Sequence, residues 1–259
     1  MIKVFIGTEP KTEIARKVLE YSIRKHTKIQ EHQIQFIPMM GEDWKVKPIT
    51  GIGTGFSLFR WDIPRRCDYK GYAIYLDADI LCLDDIQKLY TIDTTLPSKG
   101  NSIWCTYQKS KWYPDKDTPE TSVMLIDCEK AEQNQATMKA IVGELELGDP
   151  QRKRYIHYMR AINHHVAPIC IPNKFNSLNA PLDDTVFLHY TKEPEQPWYN
   201  PDHAYANLWS AYFEESLEGG IITKDEVKEA ISKYIPHTKK ERGTGLHPSY
   251  KRYIEKAIL

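Results

Sequence analysis

Three side chains in this sequence can serve as ligands to a hard cation: Asp77, Asp79 and His189. Asp77-Ala78-Asp79 follows the apolar run Ala73-Ile74-Tyr75-Leu76, which predicts a strand over 72–76 that runs straight into the pair. Alternate residues of a strand point to the same face, so two carboxylates two positions apart project together. Open α/β sheets bind ligands beyond the carboxyl ends of their strands. Two oxygen donors there suit Mg2+ or Mn2+, which keep positions open for phosphate oxygens and stabilise charge that develops on a leaving phosphate. Aspartates are common in plain turns. What lifts this pair above a solvated turn is the apolar strand before it and the return of apolar residues at Leu81, Leu83 and Ile86. His189 ends a second apolar run, Val186-Phe187-Leu188. A histidine there is either a core residue with both nitrogens satisfied or a third ligand, and imidazole suits Mn2+ better than Mg2+. Lys192, three residues further, is either an exposed loop charge or an ammonium placed against a phosphate.

The elements that must position these groups read as an alternating α/β chain. Residues 2–6 form a nearly all-apolar strand, as expected of a sheet covered on both faces. Gly7-Thr8-Glu9-Pro10 breaks it, and Ile14, Ala15, Val18, Leu19, Ser22 and Ile23 then mark one face of a helix. Further strands are expected at 34–38, 102–106, 122–127 and 185–189. Helices are expected at 56–61, ended near Pro64, and at 129–142. Gly51-Ile52-Gly53-Thr54-Gly55 lacks the Lys-Ser/Thr of a P-loop and reads as a mobile loop. Thr223 to Tyr234 is an amphipathic helix opened by a Thr-x-x-Glu capping box. A polar, basic loop follows, and residues 248–258 read as a last helix.

Composition narrows the partners. The 259 residues carry 35 basic and 35 acidic side chains, without the basic surplus that a dedicated nucleic-acid binder needs for phosphate contacts. The five cysteines are odd in number and without metal-ligand spacing. Cys82, Cys105 and Cys128 sit in apolar runs, which reads as buried reduced thiols and a reducing compartment. No stretch reaches the ~20 apolar residues of a membrane helix, and the start MIKVFIGTEP has no signal-peptide core. A cytoplasmic protein is expected. The basic stretch Lys239-Lys240-Glu241-Arg242 is either a solvated loop or a transient contact for the anionic inner face of a membrane.

Six blocks in order, VFIGTEP, GFSLFRWDIP, GYAIYLDADIL, TSVMLIDCEK, IPNKFNSL and FLHYTKEPEQPW, span most of residues 2–200. Together they resemble the GT-A-fold glycosyltransferases, close to family 8 and related bacterial sugar transferases. The resemblance implies a Rossmann-like mixed sheet flanked by helices over residues 1–215; the segment 216–259 lies outside it and reads as a helical C-terminal extension. It implies a metal-dependent transfer of a sugar from a nucleotide-diphosphate donor, UDP-linked, to a glycan, lipid-linked or protein acceptor. Asp77, Asp79 and His189 would hold Mn2+ or Mg2+. Gly7 and Thr8 would lie against the base and ribose, Arg60 would face the diphosphate or donor sugar, and Ala78, Thr121 and Ser122 would lie near the donor. Asn176 would shape the floor beside the site.

The chain also departs from that pattern. Family 8 often has Asn-Ala-Gly where Glu120-Thr121-Ser122 stands here. Asn163-His164-His165 replaces an acidic stretch, and Gln196 replaces a lysine before Pro197-Trp198. Family 8 enzymes retain anomeric configuration, and the leaving diphosphate can then help to deprotonate the acceptor. An inverting enzyme needs a base within hydrogen-bond reach of the acceptor hydroxyl, for which Asp127, His164, His165 and Asp184 are candidates by chemistry. Two rivals remain: a nucleotidyltransferase that makes sugar nucleotides, which would ordinarily carry a glycine-rich basic loop after its first strand, and a non-catalytic binding protein of the same fold. Trp104, Trp112, Tyr113, Trp198 and Tyr199 are either sugar-stacking platforms or core packing.

Overall fold

A computed structural model describes residues 1–40, 56, 59–92, 101–110, 113–133, 168–192, 195–200 and 202–234. The chain divides into two units by contact. The first comprises Met1–Glu9, Lys28–Asp77 and Gln87–Asn176; the second comprises Pro10–Thr27, Ala78–Ile86 and Ser177–Leu259.

Among its described residues the first unit is built on a mixed sheet. Its strands are β1 (Ile2–Gly7), β2 (Ile34–Met39), β3 (Tyr72–Asp77), β5 (Ile103–Ser110), β6 (Tyr113–Asp127) and β7 (Ile169–Cys170), in the order β2-β1-β3-β6-β5-β7. The three strands β2, β1 and β3 run parallel, with Gly7 opposite both Met39 and Asp77. Their carboxyl ends therefore share one edge. Strand β6 runs antiparallel to β3, pairing Tyr72 with Asp127 and Leu76 with Val123. Phe5, Ala73, Tyr75, Met124, Ile126, Ile103 and Cys105 pack on one face against Phe59, Trp61, Ile63, Cys67 and Cys128. Val4, Ile6, Ile74, Leu76, Val123 and Leu125 are buried as well, so both faces are covered, as the near-continuous apolar strands require.

Two expected elements change here. The helix expected to end near Pro64 is a 3-10 turn over Phe59–Asp62 that leads into a short helix α2 (Ile63–Arg66) containing Pro64 in its first turn. A proline at that place lacks an N–H that no helical carbonyl would have received, so it starts a turn as readily as it ends one. The strands expected at 102–106 and 122–127 extend to Ser110 and back to Tyr113. The added length is polar and carries no apolar alternation. It is held by pairing of Gln108 with Thr118 and Lys109 with Asp117, beyond a bulge near Thr106, which one-strand periodicity cannot reveal.

The second unit contains α1 (Glu13–His26), β4 (Ile80–Cys82), β8 (Ser177–Leu178), β9 (Phe187–His189), α5 (Ala206–Glu218) and α6 (Lys224–Tyr234); α3 (Gln87–Tyr90) and α4 (Cys128–Gln133) belong to the first. Strand β9 pairs antiparallel with β4, with Ile80 opposite His189, and parallel with β8. All six expected apolar-face residues of α1 are buried. Ile14, Ala15 and Val18 join Leu81, Leu188, Trp198, Trp209 and Phe213 in one core. Ser22 Oγ accepts a hydrogen bond from Cys82 N–H at 3.0 Å, which ties α1 to β4. Tyr21 and Lys25 reach Glu215 of α5 at 3.0 and 2.6 Å, and Lys17 pairs with Glu226 of α6.

All five cysteines are free, with Cys67, Cys82, Cys105 and Cys128 buried and Cys170 exposed. Burial raises the Cys82 and Cys105 thiols far above their ordinary range, so both stay protonated and inert. Trp104, Trp198 and Tyr199 are buried and belong to packing rather than to an open sugar platform. The glycine loop at 51–55, Trp112 and the basic loop and helix expected beyond 234 lie outside the described residues, as do all but the first turns of the helix expected at 129–142. No described helix is long and apolar enough to cross a membrane.

The capping box of α6 closes in both directions: Glu226 N–H donates to Thr223 Oγ1 at 3.2 Å, and Thr223 N–H donates to Glu226 Oε2 at 2.9 Å. Thr223→Ala removes one of these and is expected to destabilise the protein by about 1 kcal/mol, read as a lower urea midpoint at unchanged slope.

Candidate active site

The site begins where β3 ends. Asp77 is the last residue of that strand, and Tyr75 lies two positions earlier on the same face. The Tyr75 hydroxyl donates to Asp77 Oδ1. Arg60, only 2% exposed, lies over the Tyr75 ring with its Cζ 4.5 Å from the centroid. Its guanidinium donates to Thr121 O at 2.8 Å and Thr121 Oγ1 at 2.9 Å, and to Asp77 Oδ1 at 3.2 Å. A planar fork reaching three acceptors at once is a task for arginine and not for lysine. One oxygen of Asp77 thus receives a phenol and a guanidinium, which fixes the rotamer and compensates the half-buried charge.

Gly7 completes this corner. It pairs with Asp77 across β1 and β3. A Cβ on Gly7 would stand 2.3 Å from the Tyr75 hydroxyl and 2.5 Å from the Phe56 ring. Glycine is therefore what lets the Tyr75 phenol lie across β1 and reach Asp77. Thr8 is buried and donates its N–H to Met39 O at 3.1 Å. Because Leu76 pairs with Val123, Ser122 and Thr121 continue β6 beside Asp77. Ser122 is bonded to Glu120 at 3.0 Å.

Asp79 is held differently. Its carbonyl receives Tyr190 N–H at 3.0 Å. Its Oδ2 receives the Gln196 side-chain amide at 2.9 Å, and the same nitrogen donates to Tyr190 O, also at 2.9 Å. The other oxygen, Oδ1, lies 3.2 Å from His189 Nε2. It is buried, and no N–H or O–H of the described residues is aligned on it as a hydrogen bond. A buried carboxylate oxygen facing an imidazole nitrogen without a shared hydrogen bond is costly, and a cation bound by both satisfies both. One ligand atom from each of Asp77, Asp79 and His189 lies within 4.8 Å of the others. Two carboxylates and one imidazole form a donor set that fits a divalent cation, Mn2+ in particular.

No protein-family model matches the sequence. A curated relative, Protein CDI of Arabidopsis thaliana, is 24% identical over 88% of this chain and 90% of its own. Among solved structures, the galactosyltransferase LgtC, crystallised with donor and acceptor sugar analogs, superimposes with a TM-score of 0.60 over 82% of this chain and 95% of its own, at 14% identity. The glycosyltransferase GlyE of Streptococcus pneumoniae gives 0.57 over 85% of this chain and 64% of its own, also at 14% identity. The fold is that of the GT-A glycosyltransferases. Its mixed sheet and the Asp-x-Asp turn at the carboxyl end of β3 follow the arrangement that the sequence resemblance implied.

On this GT-A scaffold Gly7, Arg60, Asp77 and Thr121 come together in one unit, and Asp79 and His189 in the other, with Ala78 buried between the two aspartates in the chain. Neither candidate base among the described residues, Asp127 or Asp184, is brought there. Asp127 pairs with Tyr72 at the opposite end of β3, about 16 Å from Asp77 at ~3.3 Å per residue. It accepts Lys130 N–H at 3.0 Å at the start of α4, because an antiparallel strand delivers its last residue to its neighbour's beginning. Asp184 is exposed in the turn before β9, at the end remote from His189. His164 and His165 lie outside the described residues. Lys192 is exposed and pairs with Glu195 at 3.1 Å. Asn176 is buried, with its carbonyl accepting Gln108 at 2.7 Å.

Two contributors went unpredicted. Tyr75 was legible from its i, i+2 spacing to Asp77. The contact of Gln196 with Asp79 joins positions 117 apart and leaves no local signal. Gly7→Ala forces Tyr75 and Phe56 aside and is expected to cost about 1–3 kcal/mol in urea unfolding; a variant as stable as wild type would show that both rings yield freely.

Proposed function

We propose that the chain is a divalent-cation-dependent glycosyltransferase that moves a sugar from a UDP-sugar to a carbohydrate-type acceptor with retention of anomeric configuration. The observation that carries this reading is the convergence of Asp77, Asp79 and His189 at the end of β3 in a GT-A fold. In this reading Asp77, Asp79 and His189 would hold Mn2+. When bound, the ion supplies Lewis-acid stabilisation of the diphosphate leaving group. Arg60 and Tyr75 orient Asp77 through hydrogen bonds to its Oδ1. Gly7 and Thr8 face the base and ribose, and Ala78, Thr121 and Ser122 line the donor. Lys192 serves the diphosphate by exchanging its exposed Glu195 partner for phosphate.

The bond from the anomeric carbon to the diphosphate breaks, the acceptor oxygen bonds to that carbon, and the acceptor proton passes to a diphosphate oxygen. The remote positions of Asp127 and Asp184 favour this route over one needing either as base. The five free cysteines support a reducing compartment and a cytoplasmic location.

The test is donor hydrolysis across a panel of nucleotide sugars with and without Mn2+. Turnover is expected with a UDP-sugar and Mn2+ only. Asp79→Ala is expected to lower it more than about 100-fold, because Lewis-acid stabilisation is worth several kcal/mol, while the metal-free melting temperature stays near that of wild type. Wild-type turnover in the variant sinks the assigned role. Stabilisation by a nucleoside triphosphate with a sugar phosphate, in place of UDP with Mn2+, would point to a nucleotidyltransferase.

A further inference from the structure

The geometry points to Gln196 as the residue that positions Asp79 for the cation: it fills one carboxylate oxygen with a neutral donor and so leaves the other turned to His189. This deepens the proposed function and rests on its metal reading. Gln196 is 5% exposed. Its Nε2 makes two hydrogen bonds of 2.9 Å, to Asp79 Oδ2 and to Tyr190 O. Both partners are acceptors, so only the amide nitrogen can face them and the orientation of the amide is determined. The Gln196 backbone is anchored in turn: its carbonyl accepts the N–H groups of Tyr199 and Asn200, each at 2.8 Å. The intervening Trp198 is buried against Tyr190 and Trp209.

The consequence is chemical as well as steric. A carboxylate can turn about its terminal torsion and offer either oxygen. With Oδ2 occupied, Oδ1 is the oxygen left beside His189 Nε2. An amide donor orients the carboxylate while leaving its charge intact. The backbone bond from Tyr190 N–H to Asp79 O, with Tyr190 adjacent to His189, couples the two ligands through the residue that Gln196 also grips.

The experiment measures Mn2+ binding by electron paramagnetic resonance in wild type, Gln196→Met and Gln196→Asn, with the metal-free melting temperature of each. Met keeps the length and loses the donor. Asn keeps an amide one carbon too short to reach both acceptors, and it carries the test if the Met variant fails to fold. The expected result is a rise of about tenfold or more in the Mn2+ Kd, the scale of a lost hydrogen bond to a charged group, with an altered line shape for the bound ion. A Kd within twofold of wild type in a folded variant overturns the inference and leaves the metal reading intact. Wild type that binds no Mn2+ overturns both.

Discussion

A buried carboxylate oxygen to which no described residue donates a hydrogen bond is the constraint around which this site is arranged. Asp79 Oδ1 is such an atom, and it faces His189 Nε2 at 3.2 Å. Leaving it so costs free energy in the absence of a cation. Strand pairing sets the position of His189 opposite Ile80. The bond from Tyr190 N–H to Asp79 O holds the turn, and Gln196 holds the side chain. Each of these is tied to a core of aromatic and aliphatic side chains contributed by α1, β4, β9, α5 and α6.

The two aspartates receive opposite electrostatic treatment. Asp77 is given a guanidinium and a phenol on one oxygen; among the described residues the Asp79 carboxylate is given a neutral amide and an imidazole. A charged partner compensates a carboxylate and weakens its hold on a cation, whereas a neutral donor orients it and leaves its charge available. Asp77 is accordingly held by a charged partner and Asp79 by a neutral one.

The scaffold supplies precision through parallel strands. Because β1 and β3 run in register, Gly7 lies opposite Asp77, and the missing side chain opens the space through which Tyr75 reaches Asp77. Strand β6 brings Thr121 to the same edge because it runs the other way, and Arg60 ties the two edges together from the 3-10 turn before α2. A site built on strand ends moves less than one built on loops.

Local residue order by itself determined β1, α1, β3 and the capped helix α6, since each is written in apolar periodicity and end signals that act within a few residues. It also determined the metal-ligand candidates, because an Asp-x-Asp at a strand end and a histidine at another can be read from type and position. What only the tertiary structure decided is which groups meet. The polar extension of β5 and β6 exists because each strand supplies the other's hydrogen bonds. Asp127 was excluded from the edge of the sheet by strand direction alone. Gln196 acquired its place beside Asp79 through a fold that brings together residues 117 apart. Hydrogen-bond partners of that kind are fixed by backbone path and packing, and side-chain chemistry carries no record of the distance it will be asked to span.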